Sequence, residues 1–484
     1  MRIRDFAWLA VPAMAAALAG CATYHALQLD NGRGPAHVAD VMVPASSMPT
    51  RTLRTHTFDP SNGLDATEVA MLAVANSPQL KVERDAANVA HAQAYAAGLL
   101  PDPQLTYEHL HPTSGQPDLT SAFNLGLSYD LGNLVTRSAR VAAARAGTRE
   151  VDLNLLWSEW QAIAQARTLF DRVYFLRQEV ARLEREQAAL APIRSSIRSA
   201  LASGDLTYAS ASVGLNAASD VANQIANAVQ QLHLAERDLH DLLGLDGGVP
   251  LDLTGAPFSV GPDAGQVQRA LADMTKRRPD LLALQAGYRS QNEKLRAAIL
   301  AQFPAITVGF LRQRDTGNIY TTGFSIGLSL PLFDGNRGNI AIERATRQQL
   351  HDKYTAQLLT DRNDVRRLLA DLASDRVQRK TLAAHAAELD RARAAAQTNY
   401  AAGRLDWPTY LAIRAGSLAA DTALLTLERN THETAIALDA LVGNWPNASE
   451  AAPVARNRVS PAPTAASSKT RRHPPAGAHK VQPR

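Results

Sequence analysis

The single thiol of the chain, Cys21, stands where covalent modification is a better reading than redox or metal chemistry. Arg2 and Arg4 precede an apolar run from Phe6 to Leu18, which leads into Leu18-Ala19-Gly20-Cys21. Basic, apolar and small residues in that order form an export signal, and the run is too short to span a bilayer. With one cysteine, no disulfide can form within the chain. Other reactive patterns are missing: there is no Gly-rich phosphate loop, no His-Glu-x-x-His and no cysteine pair. His109 and His111 sit two apart, which suits metal ligation or, more simply, a surface loop. The six Met form no Met-x-x-Met repeat, so soft-metal handling is not indicated. No cofactor and no enzymatic chemistry are expected.

The run ending in Cys21 resembles a bacterial lipoprotein signal, which implies cleavage before that cysteine and its acylation. Each buried acyl methylene contributes about 0.8 kcal/mol of anchoring. Ala22 follows where an aspartate would imply inner-membrane retention, so the resemblance favours the outer membrane.

Charge gives no nucleic-acid footprint. The chain of 484 residues carries a formal +4, but seven Lys and Arg and no acid fall after Ala451, and residues 21–450 carry −4. A nucleic-acid surface would need a basic face on a folded unit. Apolar residues make up 46% and aromatics only 5%, a mixture suited to helices packed through small side chains.

The elements recur. Pro78-Gln-Leu80 and Pro279-Asp-Leu281 lie 201 positions apart, as do Pro103 and Pro304, and Phe123-Asn-Leu-Gly-Leu-Ser128 matches Phe324-Ser-Ile-Gly-Leu-Ser329 in the same frame. Gly204-Asp-Leu206 pairs with Gly403-Arg-Leu405 at 199. Two copies of one unit follow. In the first, Asp65 and Glu68 form a capping pattern for a short helix. Ser77-Pro78 opens a second helix, two strands follow, and a long helix spans about 133–202. Gly204 breaks it and a return helix runs to Gly244. Leu169, Val173, Leu176, Val180, Leu183 and Leu190 mark a heptad seam, within which Pro192 predicts a kink or break. At 1.5 Å per residue the long helix extends about 100 Å, nearly matched by the two shorter helices end to end. Each copy therefore predicts one rod.

The boundaries read as a signal over 1–20, an extended segment over 21–62, repeat 1 over 63–246 with strands at about 103–131, and a linker over 247–262. Repeat 2 covers 263–445 with strands at about 304–332, and a basic Pro/Ala-rich tail covers 446–484. The strand segments alternate with period two: Phe123, Leu125 and Leu127 against Asn124, Gly126 and Ser128, and Phe324, Ile326 and Leu328 against Ser325, Gly327 and Ser329. Lipid outside and water inside accounts for this pattern, and these six apolar residues are the predicted lipid-facing set. Four strands are too few to close a barrel, so the chain must oligomerise.

In order and in duplicate, Asn76-Ser-Pro-Gln-Leu80, Ala97-Gly-Leu-Leu-Pro-Asp-Pro-Gln-Leu105 and Leu330-Pro-Leu-Phe-Asp-Gly-Asn-Arg337 resemble the TolC-type outer-membrane efflux proteins over about 63–445. The resemblance implies a mainly α fold with a small β part. Tandem long helical hairpins form a periplasmic α-barrel, and four strands per chain build a 12-stranded β-barrel in a homotrimer. It implies an exit duct for drugs or metal ions, served by a periplasmic adaptor (membrane fusion) protein and an inner-membrane pump of the resistance-nodulation-division type. The helix-turn-helix tips would dock the adaptor, which singles out Gly204, Leu206, Gly403 and Leu405, with the leucines expected to be exposed. The aspartate ring that some relatives carry past the second tip is missing, since Thr409 to Ile413 hold no carboxylate. Asp406, Trp407 or Tyr410 are then the candidates for the aperture. The alternative reading is a periplasmic coiled-coil lipoprotein that binds partners without forming a pore.

Overall fold

A computed structural model describes residues 24–29, 32, 34–113, 118–257 and 264–443. Cys21, the signal and the basic tail lie outside the described residues. A short helix α1 (Arg51–Thr55) leads into repeat 1, which runs α2 (Ala66–Asn76), α3 (Pro78–Gly98), β1 (Gln104–Leu110), β2 (Ala122–Asp130), α4 (Gly132–Ser203) and α5 (Tyr208–Leu243). Repeat 2 follows the same order: α6 (Ala264–Arg277), α7 (Pro279–Leu300), β3 (Ala305–Arg314), β4 (Tyr320–Ser329), α8 (Arg337–Ala401) and α9 (Trp407–Val442).

Local chemistry sets the helix ends. Asp65 Oδ1 accepts from the backbone N–H of Thr67 and Glu68, at 2.7 and 2.8 Å, and Glu68 Oε2 accepts from Asp65 N–H at 3.0 Å. These bonds satisfy the orphan donors of α2. Pro78 and Pro279 occupy the first positions of α3 and α7, where a missing N–H costs nothing. Pro192, expected to kink or break α4, does not break it: the helix runs through it to Ser203. Leu190, Ile193 and Ile197 on either side are buried in one apolar cluster, and this packing offsets the one lost backbone bond.

Each long helix packs against a stacked pair. His91 of α3 meets Asp152 of α4 at 3.0 Å, and Arg177 of α4 meets Glu236 of α5 at 2.9 Å, so α3 covers one half of α4 and α5 the other. Repeat 2 does the same with α7 and α9 along α8. The two rods pack together as well, through α4 with α7 and α4 with α9. Ser290 donates to the carbonyl of Ala143 at 2.8 Å, and a Cβ at Gly287 would come within 2.6 Å of the Glu150 carboxylate. The seam residues Leu169, Val173, Leu176, Leu183 and Leu190 are buried, and Val180 partly so.

Where the stacked helices meet, a side chain satisfies the C-terminal carbonyls of the return helix. In repeat 1, Asn76 Nδ2 donates to the carbonyls of Leu243 and Gly244, at 2.7 and 3.1 Å. Gly244 is left-handed at φ 61°, and a Cβ there would lie 2.8 Å from the Asn76 carbonyl oxygen, so glycine is required twice over. In repeat 2 the task falls to Arg278, which is 1% exposed. Its guanidinium reaches the carbonyl of Leu441, pairs with Asp280 on its own helix and with Asp361 of α8 at 3.2 Å, and lies 4.9 Å from the Trp157 ring of α4. Burial pushes the Asp361 carboxyl up from its ordinary range, against the pull of Arg278. Beside these junctions lie the apolar cores. One gathers Met48, Leu53, α2, Ile163, Phe170 and Leu239, and the other Val267, Met274, Leu281, Val365 and Leu438. Leu64 bridges Leu253 in parallel, with Leu64 N–H on the Asp252 carbonyl at 2.7 Å, which pins the inter-repeat segment to the start of repeat 1.

Arg278→Ala leaves the buried Asp361 and the half-buried Asp280 without their cation and should cost about 3–5 kcal/mol. Thermal unfolding of the purified protein will show a large drop in midpoint, whereas Arg269→Ala on the exposed face of α6 leaves it nearly unchanged.

Candidate functional site

The four strands form one antiparallel sheet in the order β1-β2-β3-β4, with β2 and β3 joining the repeats. Register turns the alternation within each strand into a continuous face. Leu105 lies opposite Leu127, Leu127 opposite Phe310, and Phe310 opposite Phe324, so one apolar row crosses the whole sheet. Tyr129, Val308 and Ile326 form the next row, and Ile306 with Leu328 the one after. The opposite face carries Ser128-Gly309-Ser325 and Gly126-Leu311-Gly323. A slip of one residue between β2 and β3 would mix the two faces.

The predicted lipid-facing residues all lie on the apolar face. Phe324 and Ile326 are 70% and 68% exposed, Leu125, Leu127 and Leu328 are also open, and Phe123 is half-buried beneath its neighbours. Apolar area left in water forfeits about 25 cal/mol per Å² relative to burial, and a continuous patch of this kind marks an interaction surface. The edge strands β1 and β4 are each paired on one side, which leaves a row of backbone N–H and C=O groups open on the other.

At the far end of the rods, the turns at Gly204 and Gly403 are left-handed, at φ 80° and 69°, and no heavy atom lies within 4 Å of a Cβ built at either. The glycines serve backbone handedness and leave the tips open. The leucines behave differently from expectation: Leu206 and Leu405 are half-buried against the tip cluster, because both hairpins converge on Ile193, Ile197 and Leu411. Trp407 packs into the same cluster, and Tyr410 is 5% exposed. Asp406 stays exposed and caps α9 by accepting from Thr409 N–H at 3.2 Å. Gly214 of α5 allows the convergence, since a Cβ there would sit 2.3 Å from Ile197 Cδ1 and 3.0 Å from the Trp407 ring. An isolated glycine inside a helical pattern was the available signal for it.

A buried, bidentate ion pair between the hairpins was not legible in the sequence. Arg414 of α9 donates from Nε and Nη2 to the two carboxylate oxygens of Glu186 on α4, at 2.8 and 2.6 Å, and from Nη1 to the Tyr410 hydroxyl at 2.9 Å. Tyr410 stacks on Tyr400 of α8, 4.6 Å between centroids. The hydrogen bonds that Arg414 donates to Glu186 hold its pKa above the ordinary value, against the effect of burial. The residues are 228 apart in sequence, a separation that no local pattern encodes.

The histidines do not assemble a metal site. His111 Nδ1 is 2.9 Å from the Ser121 hydroxyl, while His109 faces Phe123 across β1 and β2. His56, Asp65 and Glu68 bring ligand atoms within 4.8 Å of one another, but the carboxylates are engaged in capping α2.

The outer membrane efflux protein family model matches residues 270–444, which is repeat 2 from α6 to the end of α9. No curated protein matches the chain. Among solved structures, CusC, which forms a transmembrane channel, is 19% identical and superposes with a TM-score of 0.66 over 84% of this chain and 99% of its own. A membrane protein from Pseudomonas aeruginosa is 18% identical, with a TM-score of 0.68 over 87% of this chain and 97% of its own. The CmeC outer membrane channel of Campylobacter jejuni is 15% identical, with a TM-score of 0.65 over 89% of this chain and 95% of its own. By sequence, residues 270–444 match the outer membrane efflux protein family, and the chain as a whole has the fold of the TolC-type outer-membrane channels.

Proposed function

We propose that this protein is the exit duct of a tripartite efflux system, a passive conduit that carries drugs or metal ions from an inner-membrane pump across the periplasm and outer membrane. The observation that carries the reading is the sheet, with a continuous apolar face, a small polar face and two open edges on the ends of long helical rods. Three copies close a 12-stranded barrel in which every edge is paired, with the apolar rows toward lipid and the serines and glycines toward water. The helical rods continue the pore into the periplasm. Acylation at Cys21 adds a lipid anchor. The tips around Gly204 and Gly403 meet the periplasmic adaptor, with backbone and polar groups rather than Leu206 and Leu405 offering the contact. The pump is of the resistance-nodulation-division type.

The Arg414–Glu186 pair then acts as a latch. Any opening that swings α8 and α9 away from α4 must break two charge-assisted hydrogen bonds and separate buried charges. Tyr410 serves this latch as a buried partner of Arg414, a role different from a side chain pointing into the aperture.

Three outcomes test the proposal. Leu127→Arg and Leu328→Arg place a charge on the lipid face, at about 2–4 kcal/mol near the bilayer centre, and should abolish the detergent-resistant trimer band of unheated outer-membrane extracts. Ser128→Arg and Ser329→Arg should retain it; equal tolerance, or a carbonate-extractable monomer, would overturn the barrel. Glu186→Ala leaves Arg414 buried and unpaired, a loss of roughly 3–5 kcal/mol from the latched state. Planar-bilayer recordings should show several-fold higher conductance, and an unchanged closed level would rule out the latch. Cys21→Ala should abolish incorporation of labelled palmitate; continued labelling of that variant would exclude this cysteine as the acylated one.

A further inference from the structure

The outward face of the sheet carries hydrophobic residues nearly everywhere, but at the hairpin end β3 breaks the pattern. Its outward series runs Ile306, Val308, Phe310, Arg312, Arg314. Arg312 lies between Leu125 of β2 and Thr322 of β4, and Arg314 between Phe123 and Tyr320. No Asp or Glu occupies an outward position on any of the four strands; Glu108 belongs to the opposite face, where Asn124 donates to it at 3.4 Å. Asp315, next in the chain, is turned into the β3–β4 hairpin and accepts from Ile319 N–H at 2.9 Å.

The two arginines are held differently. Arg314 is fixed: Nε and Nη2 donate to the Ser121 carbonyl at 3.2 and 2.6 Å, and the guanidinium sits 5.6 Å from the Phe123 ring and 5.9 Å from the Tyr320 ring. Its Nη1 makes no hydrogen bond among the described residues. Arg312 is exposed and makes no hydrogen bond or ion pair among the described residues. Two residues apart on an extended strand, the guanidinium stems rise about 6.6 Å from one another on one face.

Charge on a lipid-facing strand is costly at the bilayer midplane and nearly free at the headgroup level. The hairpin ends lie opposite the helices, so these arginines sit at the outer leaflet when the helices are periplasmic. Aromatic rings at the same height as Arg314 place the row in the interfacial belt. Guanidinium groups there need acceptors that bulk hydrocarbon does not supply, and a phosphate matches their fork geometry. We infer that Arg312 and Arg314 form a lipid-binding site at the outer rim of the barrel that takes the net-anionic phosphate headgroup of an outer-leaflet lipid, in preference to a zwitterionic one. This site rests on the reading of the sheet as part of an outer-membrane barrel.

The test is native mass spectrometry of the full-length protein in neutral detergent, titrated with phosphatidic acid or with phosphatidylcholine of the same acyl chains. Wild type should bind phosphatidic acid more tightly, by about fivefold for each arginine engaged, with the preference shrinking as salt rises. Arg312→Gln with Arg314→Gln should bind the two lipids equally while keeping the heat-modifiable migration of the folded protein. Arg312→Lys with Arg314→Lys, which retains the charge and loses the fork, should keep part of the preference. If Arg314→Gln alone disturbs folding by releasing Ser121, Arg312→Gln, which breaks no hydrogen bond or ion pair among the described residues, should still lose about fivefold. A wild type with no preference, or a double Gln variant that keeps it, overturns the lipid site. Failure of wild-type protein to resist carbonate extraction from vesicles overturns the barrel and the site together, whereas failure of the lipid preference in an extraction-resistant protein overturns the site alone.

Discussion

A four-stranded sheet with two open edges and one apolar face is unfinished in water and in lipid alike. In water its exposed leucines and phenylalanines forfeit hydrophobic stabilisation; in hydrocarbon the unpaired backbone groups along β1 and β4 carry the larger penalty. Both defects have the same remedy, which is closure with further copies of the same sheet. The proposed trimer meets this constraint. Closing the barrel also brings the helical rods side by side, because each strand hairpin is joined at both ends to helices only a few residues away.

Long alanine-rich helices are easily made and poorly registered. Small side chains pack almost as well after a slip of one heptad, so apolar burial alone gives little preference for one alignment. Buried charges supply that preference. Arg278 satisfies the end of α9 while reaching α8 and the opposite repeat, and Arg414 ties α9 to α4 below the other end. Arg167, 1% exposed on α4, has its pKa lowered to about 10 by burial, despite the nearby Asp439 and Asp171. Such groups contribute little net stability when paired, but a slipped helix would leave them buried without partners. They act as pins along a seam that is otherwise smooth.

The two repeats are not copies at this level of detail. At the equivalent junctions, repeat 1 uses Asn76 with a glycine pressed against it, and repeat 2 uses an arginine that also crosses to Trp157. Asymmetry of this kind fits a latch and a junction that serve one hairpin more than the other. The tips, by contrast, share their left-handed glycines and their inward leucines.

The sequence alone determined the capped short helices, the long helix and its return, and the alternation of each strand, because these depend on spacings within a few residues, and it determined the duplicated plan because the same landmarks recur at a constant offset. The helix through Pro192 departs from that logic, since the cluster around Leu190, Ile193 and Ile197 outweighs a single missing donor. Tertiary structure alone decided how the strands align so that Leu105, Leu127, Phe310 and Phe324 share one row, and it alone turned Leu206 and Leu405 inward. It also paired Arg414 with Glu186 and Arg278 with Asp361, and set Arg314 between Phe123 and Tyr320. A sequence writes its periods locally, whereas pairing partners separated by tens to hundreds of residues are chosen by packing, where the cost of a buried unpaired group selects one arrangement from many.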